Sequence, residues 1–290
     1  MSPGDSPRAP EWLDRSLFPF RLRDVRLPAG RMAYVDEGAG ETVLLVHGTP
    51  GWSFEYREVI SGLAGTHRVV APDHLGFGLS DRLPDGDYTV AAHARRLGDF
   101  LERLDLRGVH MVVHDFGGPV GLSAALDHLD RIDAVTVLNS WMWSLAGDPF
   151  FERARFLTGR VGRFLYERLN LSARFLVPRG FAGGRPPPRV HRHYVAAQDR
   201  EARTAAFAFA RELLGAQETL SRLWTSREEL APRIRAVVWG MEDSLLPADR
   251  LLPRWRDAAP AAPVVELEGV GHYPQEEAPS RVVAVVRDGP

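Results

Sequence analysis

The chain of 290 residues contains no cysteine and no lysine. Without thiols it can form no disulfide, no cysteine-ligated zinc or iron–sulfur site, and no thiol nucleophile. Without lysine it has neither a Schiff-base amine nor the lysine of a phosphate-binding P-loop. The 36 basic residues are therefore all arginines, and the net charge of −2 gives no basic surplus that would bind nucleic acid. We interpret the arginine- and alanine-rich composition as that of a bacterial genome rich in G and C.

Long apolar runs are also missing from the sequence. No stretch approaches the ~18 apolar residues that span a bilayer, and the first 12 residues lack the apolar segment of a signal peptide. We therefore expect a cytoplasmic protein with no membrane partner. Residues 1–20 are predicted to form an N-terminal tail, because they begin with proline, glycine, serine and charged residues.

Short apolar runs alternate with helical patterns along most of the chain. The run Thr42–Val46, TVLLV, is apolar on both faces, which is typical of a strand buried in a parallel sheet. The other predicted strands are Arg21–Leu27 and Arg31–Asp36, which flank a Pro-Ala-Gly hairpin turn, and Arg68–Ala71, Val109–Val113, Ala134–Leu138, Ile234–Trp239 and Pro263–Leu267. Predicted helices separate them at Phe54–Leu63, Val90–Leu104, Gly117–His128, Ala248–Asp257 and Pro279–Arg287. This order predicts an α/β fold with a mostly parallel sheet.

The interval between the strands that end at Leu138 and begin at Ile234 contains no strand pattern. A structureless loop of this length is uncommon in a compact domain. Helical patterns cover Phe150–Leu157, Gly162–Leu169, His191–Ala197 and Arg200–Leu214. We predict a helical insertion over one edge of the sheet, with core residues 21–140, cap residues 141–230 and core residues 231–290.

Two loops that directly follow predicted strands carry candidate catalytic groups. After Val113 comes His-Asp-Phe-Gly-Gly, the pattern of a nucleophile elbow, with Asp115 where serine is usual. Taken alone, Asp115 is equally well explained as a helix N-cap. After Val46 comes His-Gly-Thr-Pro-Gly, where the N–H of Thr49 could join that of Phe116 in an oxyanion hole. Taken alone, this loop could also be an ordinary Gly-Pro turn, although the oxyanion hole is the better explanation.

Two later loops complete the set. Asp243 follows the predicted strand that ends at Trp239, and His272 lies in a glycine-flanked loop near the C-terminus. A lone histidine is more often structural than catalytic. The order nucleophile, acid, histidine, with each residue placed just beyond a strand, nevertheless predicts a catalytic set of Asp115, Asp243 and His272.

These segments resemble the α/β-hydrolase superfamily and, more narrowly, its haloalkane dehalogenase branch. The resemblance runs from about Arg21 to the C-terminus and is weakest between 145 and 230. It implies an eight-stranded core with a helical cap, no metal or cofactor, and Asp115, His272 and Asp243 as nucleophile, base and acid. It also implies a small apolar substrate and water as partners; we expect a monomer or homodimer. The matching segments are HGTPGWSFEYR (47–57), APDHLGFGLSD (71–81), VVHDFGGPVGL (112–122), WGMEDSLLP (239–247) and GVGHYPQEEAP (269–279).

An aspartate nucleophile favours substitution at carbon over ester hydrolysis by a serine mechanism. A free aspartate has a pKa near ~3.9 and is ionised at neutral pH. It can displace a leaving group from an sp³ carbon and form an alkyl ester. His272 would then take a proton from the water that hydrolyses this ester. The residues therefore predict cleavage of a carbon–halogen bond or the opening of an epoxide.

The halide site departs from the pattern of the resembled branch. Such enzymes typically bind the halide with a tryptophan directly after the nucleophile, where this chain has Phe116, and with an asparagine at the position of Thr49 or a tryptophan in the cap. The hydroxyl of Thr49 could replace one donor, and Trp141 or Trp143 could supply a ring N–H, although apolar packing explains both equally well.

Two alternatives remain open from the sequence. Epoxide hydrolases use cap tyrosines as hydroxyl donors, for which Tyr166 and Tyr194 are the candidates. A haloacetate dehalogenase is disfavoured, because the arginines expected one and four residues after the nucleophile are Phe116 and Pro119. A non-catalytic binding member of the fold is the alternative from another class.

Overall fold

The computed structural model describes residues 9–83 and 86–289, and its centre is one sheet of eight strands in the order β1-β2-β4-β3-β5-β6-β7-β8. The strands are Leu22–Leu27 (β1), Gly30–Glu37 (β2), Thr42–Val46 (β3), Arg68–Pro72 (β4), Val109–Asp115 (β5), Ile132–Ser140 (β6), Ile234–Gly240 (β7) and Val264–Leu267 (β8). Strand β2 pairs antiparallel with β1 and β4, and the other pairings are parallel. The predicted strands and the mostly parallel sheet are confirmed.

Side chains from the two faces of the sheet enter separate apolar cores. Along β3, Leu44 and Val46 join one core, whereas Val43 and Leu45 join the other. Because successive side chains of a strand point to opposite faces, a strand covered on both sides must be apolar throughout. This is why the uninterrupted apolar runs of the sequence identified the central strands.

Helices cover both faces of the sheet. After a 3₁₀ turn at Ser53–Tyr56, the first three helices are Arg57–Leu63 (α1), Val90–Arg103 (α2) and Gly117–Asp127 (α3). Between β6 and β7 lie seven helices, with 3₁₀ turns at Arg155–Thr158 and Ala231–Arg233 and a π-helical turn at Ser172–Leu176. These helices are Pro149–Glu152 (α4), Arg160–Leu169 (α5), Val177–Gly180 (α6), Pro188–Ala196 (α7), Arg200–Gly215 (α8), Gln217–Thr225 (α9) and Arg227–Leu230 (α10). The last three are Ala248–Ala258 (α11), Pro274–Glu277 (α12) and Pro279–Asp288 (α13).

Most predicted helices are present, and the helices that were not predicted are α6, α9, α10 and α12. The predicted helix Phe150–Leu157 is instead α4 followed by a 3₁₀ turn. Helices α6, α10 and α12 have four residues each, too few to show a periodic pattern. In the described ranges, no helix is long and apolar enough to cross a bilayer.

The segment before β1 is packed against the molecule from residue 9 onwards. Phe18 is fully buried, and the main-chain N–H of Asp14 donates to Nε2 of His193 in α7 at 3.0 Å. The carboxylate of Asp14 also bonds Arg189 and Arg192 of the same helix. The predicted tail thus fastens α7 to the core over residues 9–20, while its residues 1–8 lie outside the described residues.

Histidines without polar partners are buried beside the sheet. Neither ring nitrogen of His74 or His93 has a hydrogen-bond partner within the described part of the chain. The ring of His93 stacks on Phe209, with 4.8 Å between the ring centroids. Burial, reinforced by nearby positive charges, lowers the pKa of both histidines well below 6.5. Both imidazoles are therefore neutral in the folded protein.

We expect the substitution His93→Phe to make the free energy of unfolding less sensitive to acid. Below about pH 6.5, His93 binds a proton in the unfolded chain but not in the folded protein. The free energy of unfolding of the wild type therefore falls by about 1.4 kcal/mol per pH unit below that value because of this residue. Phenylalanine keeps the stacked ring and removes this loss. Urea unfolding at pH 8, 6 and 5 should show the variant gaining about 2 kcal/mol over wild type by pH 5. A difference that stays constant with pH would contradict the interpretation.

Candidate active site

The order of the strands reverses at β3, which has β4 on one side and β5 on the other. In open α/β sheets, ligands bind beyond the carboxyl ends of the strands at such a switch point. Thr49 lies in the loop that follows β3, and Asp115 is the last residue of β5. Both predicted residues therefore lie where the topology favours a site.

Asp115 stands on a sharp turn between β5 and α3, with a positive φ of 49°. This left-handed conformation is costly for a residue with a side chain, and it recurs at functional sites. The turn is tight, because a Cβ at Gly117 would overlap the carbonyl oxygen of Val46 and one at Gly118 would overlap the hydroxyl of Ser140. The Ser140 hydroxyl donates to the main-chain oxygen of Asp115 at 2.5 Å. The elbow therefore presents its carboxylate in one fixed direction.

The carboxylate of Asp115 lies against two main-chain N–H groups. The N–H of Thr49 donates to Oδ2 at 2.9 Å, and the N–H of Phe116 also hydrogen-bonds this carboxylate. The Thr49 loop can approach so closely because residue 48 is glycine, where a Cβ would overlap the side chain of Asp115. The two donors are placed to stabilise an oxyanion formed on Asp115 itself.

His272 lies between two carboxylates. Its Nδ1 is 2.7 Å from Oδ2 of Asp243, and its Nε2 is 3.7 Å from Oδ1 of Asp115. Since a carboxylate only accepts hydrogen bonds, Nδ1 carries the hydrogen and Nε2 faces Asp115. The second oxygen of Asp243 accepts the main-chain N–H groups of Leu245 and Leu246 at 2.7 and 2.9 Å. The structure thus brings together the three residues that the sequence predicted as a catalytic set.

The charges of these residues depend on one another. Burial raises the pKa of Asp115, while the nearby His272 opposes this rise. Burial lowers the pKa of His272, but the carboxylates of Asp243 and Asp115 outweigh it and raise this pKa to about 9. At neutral pH His272 is therefore protonated, and its positive charge favours the ionised form of Asp115.

A cavity of about 590 Å³ opens beside Asp115 and His272. This volume suits a small organic molecule. Asp115 is the only carboxylate among the described residues that line it. Elsewhere in the described ranges, too, no cluster of three or more His, Cys, Asp or Glu side chains is arranged to hold a metal ion. Most of the lining is apolar, with Phe150, Phe151, Leu157, Leu176, Leu213 and Leu246 as examples.

The sequence of this chain matches the model of the alpha/beta hydrolase fold family over residues 41–279. It is also 35% identical over 280 residues to haloalkane dehalogenase 2 of Mycobacterium tuberculosis, which covers 94% of this chain and 96% of the relative. The chain belongs to the α/β-hydrolase family, in its haloalkane dehalogenase-like branch. The family and the enzyme class predicted from the sequence are confirmed.

This dehalogenase-like hydrolase is also similar to a decarboxylase in sequence and to two solved structures in fold. The cis-3-alkyl-4-alkyloxetan-2-one decarboxylase of Xanthomonas campestris is 31% identical over 290 residues, covering 94% of this chain and 95% of the relative. The structure of haloalkane dehalogenase DatA from Agrobacterium tumefaciens has a TM-score of 0.78 at 22% identity, covering 92% and 95% of the two chains. Epoxide hydrolase CorEH has a TM-score of 0.74 at 23% identity, covering 93% and 98%. These two structural likenesses show the shared α/β-hydrolase fold.

The two predicted tryptophans of this dehalogenase-like hydrolase lie outside the lining of the cavity. Trp141 is buried behind Phe116, with 4.9 Å between the ring centroids. Trp143 is buried against Trp224 and Trp255. The structure therefore gives both the packing role that the sequence analysis left open, and it brings neither ring N–H to the cavity.

The two predicted tyrosines lie in different surroundings. Tyr166 lines the cavity, whereas Tyr194 is fully buried elsewhere and donates to Glu276 at 2.8 Å. Glu276 in turn forms a bidentate ion pair with Arg57, so Tyr194 joins α7 to the core. The cavity has a second tyrosine, Tyr273, which the sequence analysis did not single out. Its position directly after the predicted base His272 was the feature of the sequence that could have identified it.

Asn139 has a positioning role that the sequence analysis missed. This buried residue donates to Oδ2 of Asp243 at 2.7 Å and accepts the N–H of Gly240 at 2.9 Å. It thereby joins the end of β6 to the loop that carries the acid. A polar residue near the end of a mostly apolar strand was the signal in the sequence.

A second buried polar network lies behind the nucleophile. Oε1 of Glu55 is 3.0 Å from Nδ1 of His114 and 3.1 Å from Nε2 of Gln275. The other ring nitrogen of His114 lies 2.8 Å from the main-chain oxygen of His272 and therefore carries a hydrogen. The same Nδ1 of His114 also lies 3.0 Å from Nε2 of Gln275. The network joins the oxyanion loop, the elbow and the histidine loop.

We expect Glu55→Leu to lower the free energy of unfolding by about 3 kcal/mol, because it leaves buried donors without their acceptor. Glu55→Gln keeps the size and one acceptor oxygen, so it should cost about 1 kcal/mol. Urea unfolding of both variants at pH 7.5 measures the difference. Equal losses for the two would argue that the network contributes packing alone.

Proposed function

We propose that this hydrolase cleaves the carbon–halogen bond of small apolar haloalkanes, with Asp115 as nucleophile and His272 as base. The observation that carries the proposal is an ionised carboxylate that ends an apolar cavity, faces His272 and is held by two N–H donors. The helices between residues 141 and 230 would act as the cap that sets the size of the substrate.

In the first step, Oδ1 of Asp115 attacks the carbon that bears the halogen. Oδ1 is the oxygen turned toward His272, whereas Oδ2 is engaged by the N–H of Thr49. A C–O ester bond forms, and the halide departs with the electrons of the C–X bond. Esterification removes the charge of Asp115, one of the groups that raise the pKa of His272, and so favours the neutral base.

In the second step, water attacks Cγ of the ester. Nε2 of His272 takes the proton of the water while Asp243 stabilises the resulting imidazolium. Negative charge develops on Oδ2, where the N–H groups of Thr49 and Phe116 are already placed. Collapse of this intermediate releases the alcohol, and one proton and one halide leave the site for each turnover.

Hydroxyl groups are the available donors for the departing halide. The hydroxyl of Thr49 is buried and has no hydrogen-bond partner among the described residues, although Thr49 lines the cavity. The hydroxyls of Tyr166 and Tyr273 belong to the same lining, and burial followed by the charge of Asp115 raises the pKa of both. Both therefore remain protonated donors at neutral pH. Phe116, which also lines the cavity, adds no donor from its ring.

Strained oxygen rings are the second candidate substrates. Two tyrosine hydroxyls beside an aspartate nucleophile could donate a proton to the oxygen of an opening epoxide or four-membered lactone. A relative at 31% identity, covering almost the whole chain, is named as a decarboxylase of an oxetan-2-one, which is such a lactone. These rings would react at the same carboxylate, so the covalent product distinguishes them from haloalkanes.

We expect the variant His272→Phe to accumulate a covalent ester on Asp115. The first step needs only the carboxylate, whereas the second step loses its base. Intact-protein mass spectrometry after incubation with 1-bromobutane, 1,2-epoxybutane or β-butyrolactone measures the product. A bromoalkane adds its alkyl group without bromine, and a ring compound adds its whole mass.

The double variant His272→Phe, Asp115→Asn is the matched control and should gain no mass. Peptide mapping should place the adduct at residue 115. If no compound modifies His272→Phe and the wild type releases neither halide nor ring-opened product, the protein is a binding member of the fold and the proposal is wrong.

We expect Thr49→Val to lower kcat/KM for bromoalkanes by roughly 10²-fold, because it removes a desolvated donor to the developing anion. Thr49→Ser retains the hydroxyl and should stay within a few-fold of wild type. Phe116→Trp adds a ring N–H at the cavity and should raise the rate of bromide release. Unchanged release in both Thr49→Val and Phe116→Trp would argue against a halide as the leaving group.

A further inference from the structure

Large apolar side chains are strongly exposed on the cap. Among the described residues, the exposed large apolar side chains all lie between residues 156 and 175. They are Phe156, Val161, Phe164, Leu169 and Phe175, with exposed fractions of 64, 62, 57, 46 and 57%. Such a concentration on one segment is unusual for an isolated globular protein and indicates an interaction surface. We name these five residues, with the arginines of residues 153–179, the cap patch.

Helix α5 shows how the patch is built. Tyr166 turns toward the cavity and is buried, whereas Val161 and Phe164 point outward on the same side as Arg168. Residues spaced three and four apart share one face of a helix. The outer face of α5 therefore combines apolar and cationic side chains, and Arg160 lies at its first turn.

The patch has a strong excess of positive charge. Residues 153–179 contain seven arginines and one acidic residue, Glu167. Arg155 pairs with Glu152 and Arg163 pairs with Glu167. The other five are exposed and have no ion pair with any described residue: Arg153, Arg160, Arg168, Arg174 and Arg179.

Part of the patch borders the cavity that contains Asp115. Phe156, Arg153 and Arg179 belong to both the patch and the cavity lining. Phe175 and Arg174 line an adjoining groove that shares Arg179 with the cavity. A partner bound to the patch therefore contacts exposed residues of the cavity wall.

We propose that the cap patch binds the surface of an anionic lipid bilayer and directs the mouth of the cavity toward the lipid. Exposed phenylalanines insert at the boundary between headgroups and acyl chains, and arginines extend to the phosphates. Unpaired arginines without acidic neighbours match a negative surface. A membrane-spanning segment is visible in a sequence as a long apolar run. A lipid-binding surface of this kind is not, because it depends on which side chains the fold leaves exposed.

This placement gives a substrate class to the proposed function and to that extent rests on it. A haloalkane or lactone with a long alkyl chain partitions into hydrocarbon and would enter the cavity from the bilayer. Binding of the patch to lipid does not require the chemistry of Asp115. The two proposals can therefore fail separately.

The test is co-sedimentation of the full chain, carrying Asp115→Asn, with vesicles of phosphatidylcholine alone or mixed with phosphatidylglycerol. We expect binding to the mixed vesicles, weak binding to phosphatidylcholine, and release at high salt. Triple variant Arg160→Gln, Arg168→Gln, Arg174→Gln should lower the affinity on the order of 100-fold. Triple variant Phe156→Ser, Phe164→Ser, Phe175→Ser should also bind far more weakly.

The matched control removes three exposed arginines of the core: Arg26→Gln, Arg235→Gln, Arg281→Gln. It changes the net charge by the same amount and should bind like the parent. Equal loss in the two arginine variants, or no binding to anionic vesicles, overturns the proposal. So does a dimer in solution that the serine variant dissociates, since the patch would then join two copies of the chain.

Discussion

The constraint on which the site depends is the cost of keeping the carboxylate of Asp115 ionised inside an apolar cavity. A buried charge is tolerated only where opposite charge and hydrogen-bond donors replace the lost water. Two main-chain N–H groups and the imidazolium of His272 do this here. Gly48 is required because any side chain there would prevent the donor loop from reaching the carboxylate. The reactivity of the aspartate and the close packing of its loops are thus consequences of one electrostatic requirement.

The same requirement extends to the surrounding groups. Asp243 is buried, and its charge is met by His272, Asn139 and two main-chain N–H groups. Glu55 meets His114 at the back of the elbow. Each carboxylate near the site thus has a hydrogen-bond donor. An ester on Asp115 would alter the charge of His272, but no other carboxylate would lose its donor.

The sequence allowed the strands of the core and the convergence of the candidate site residues to be predicted, because both follow from position along the chain. Parallel strands buried on two faces are continuously apolar, and their carboxyl ends meet at one edge of the sheet. The residues after those strands, Asp115, Asp243 and Thr49, therefore converge. The contacts of the helices between β6 and β7 could not be predicted from position along the chain. Tyr166 and Tyr194 lie on separate short helices, and the packing of those helices alone turns one tyrosine toward the cavity and the other toward Glu276.

Composition averaged over the chain also concealed how charge is distributed. A net charge of −2 excludes a general affinity for anions, yet residues 153–179 hold seven arginines and one glutamate. These arginines lie in the same segment as the exposed phenylalanines, and Arg153, Phe156 and Arg179 line a cavity whose described lining has a single carboxylate. An apolar substrate is scarce in water and concentrated in lipid. A hydrolase whose substrate is apolar would thus gain from cationic and apolar side chains beside its cavity.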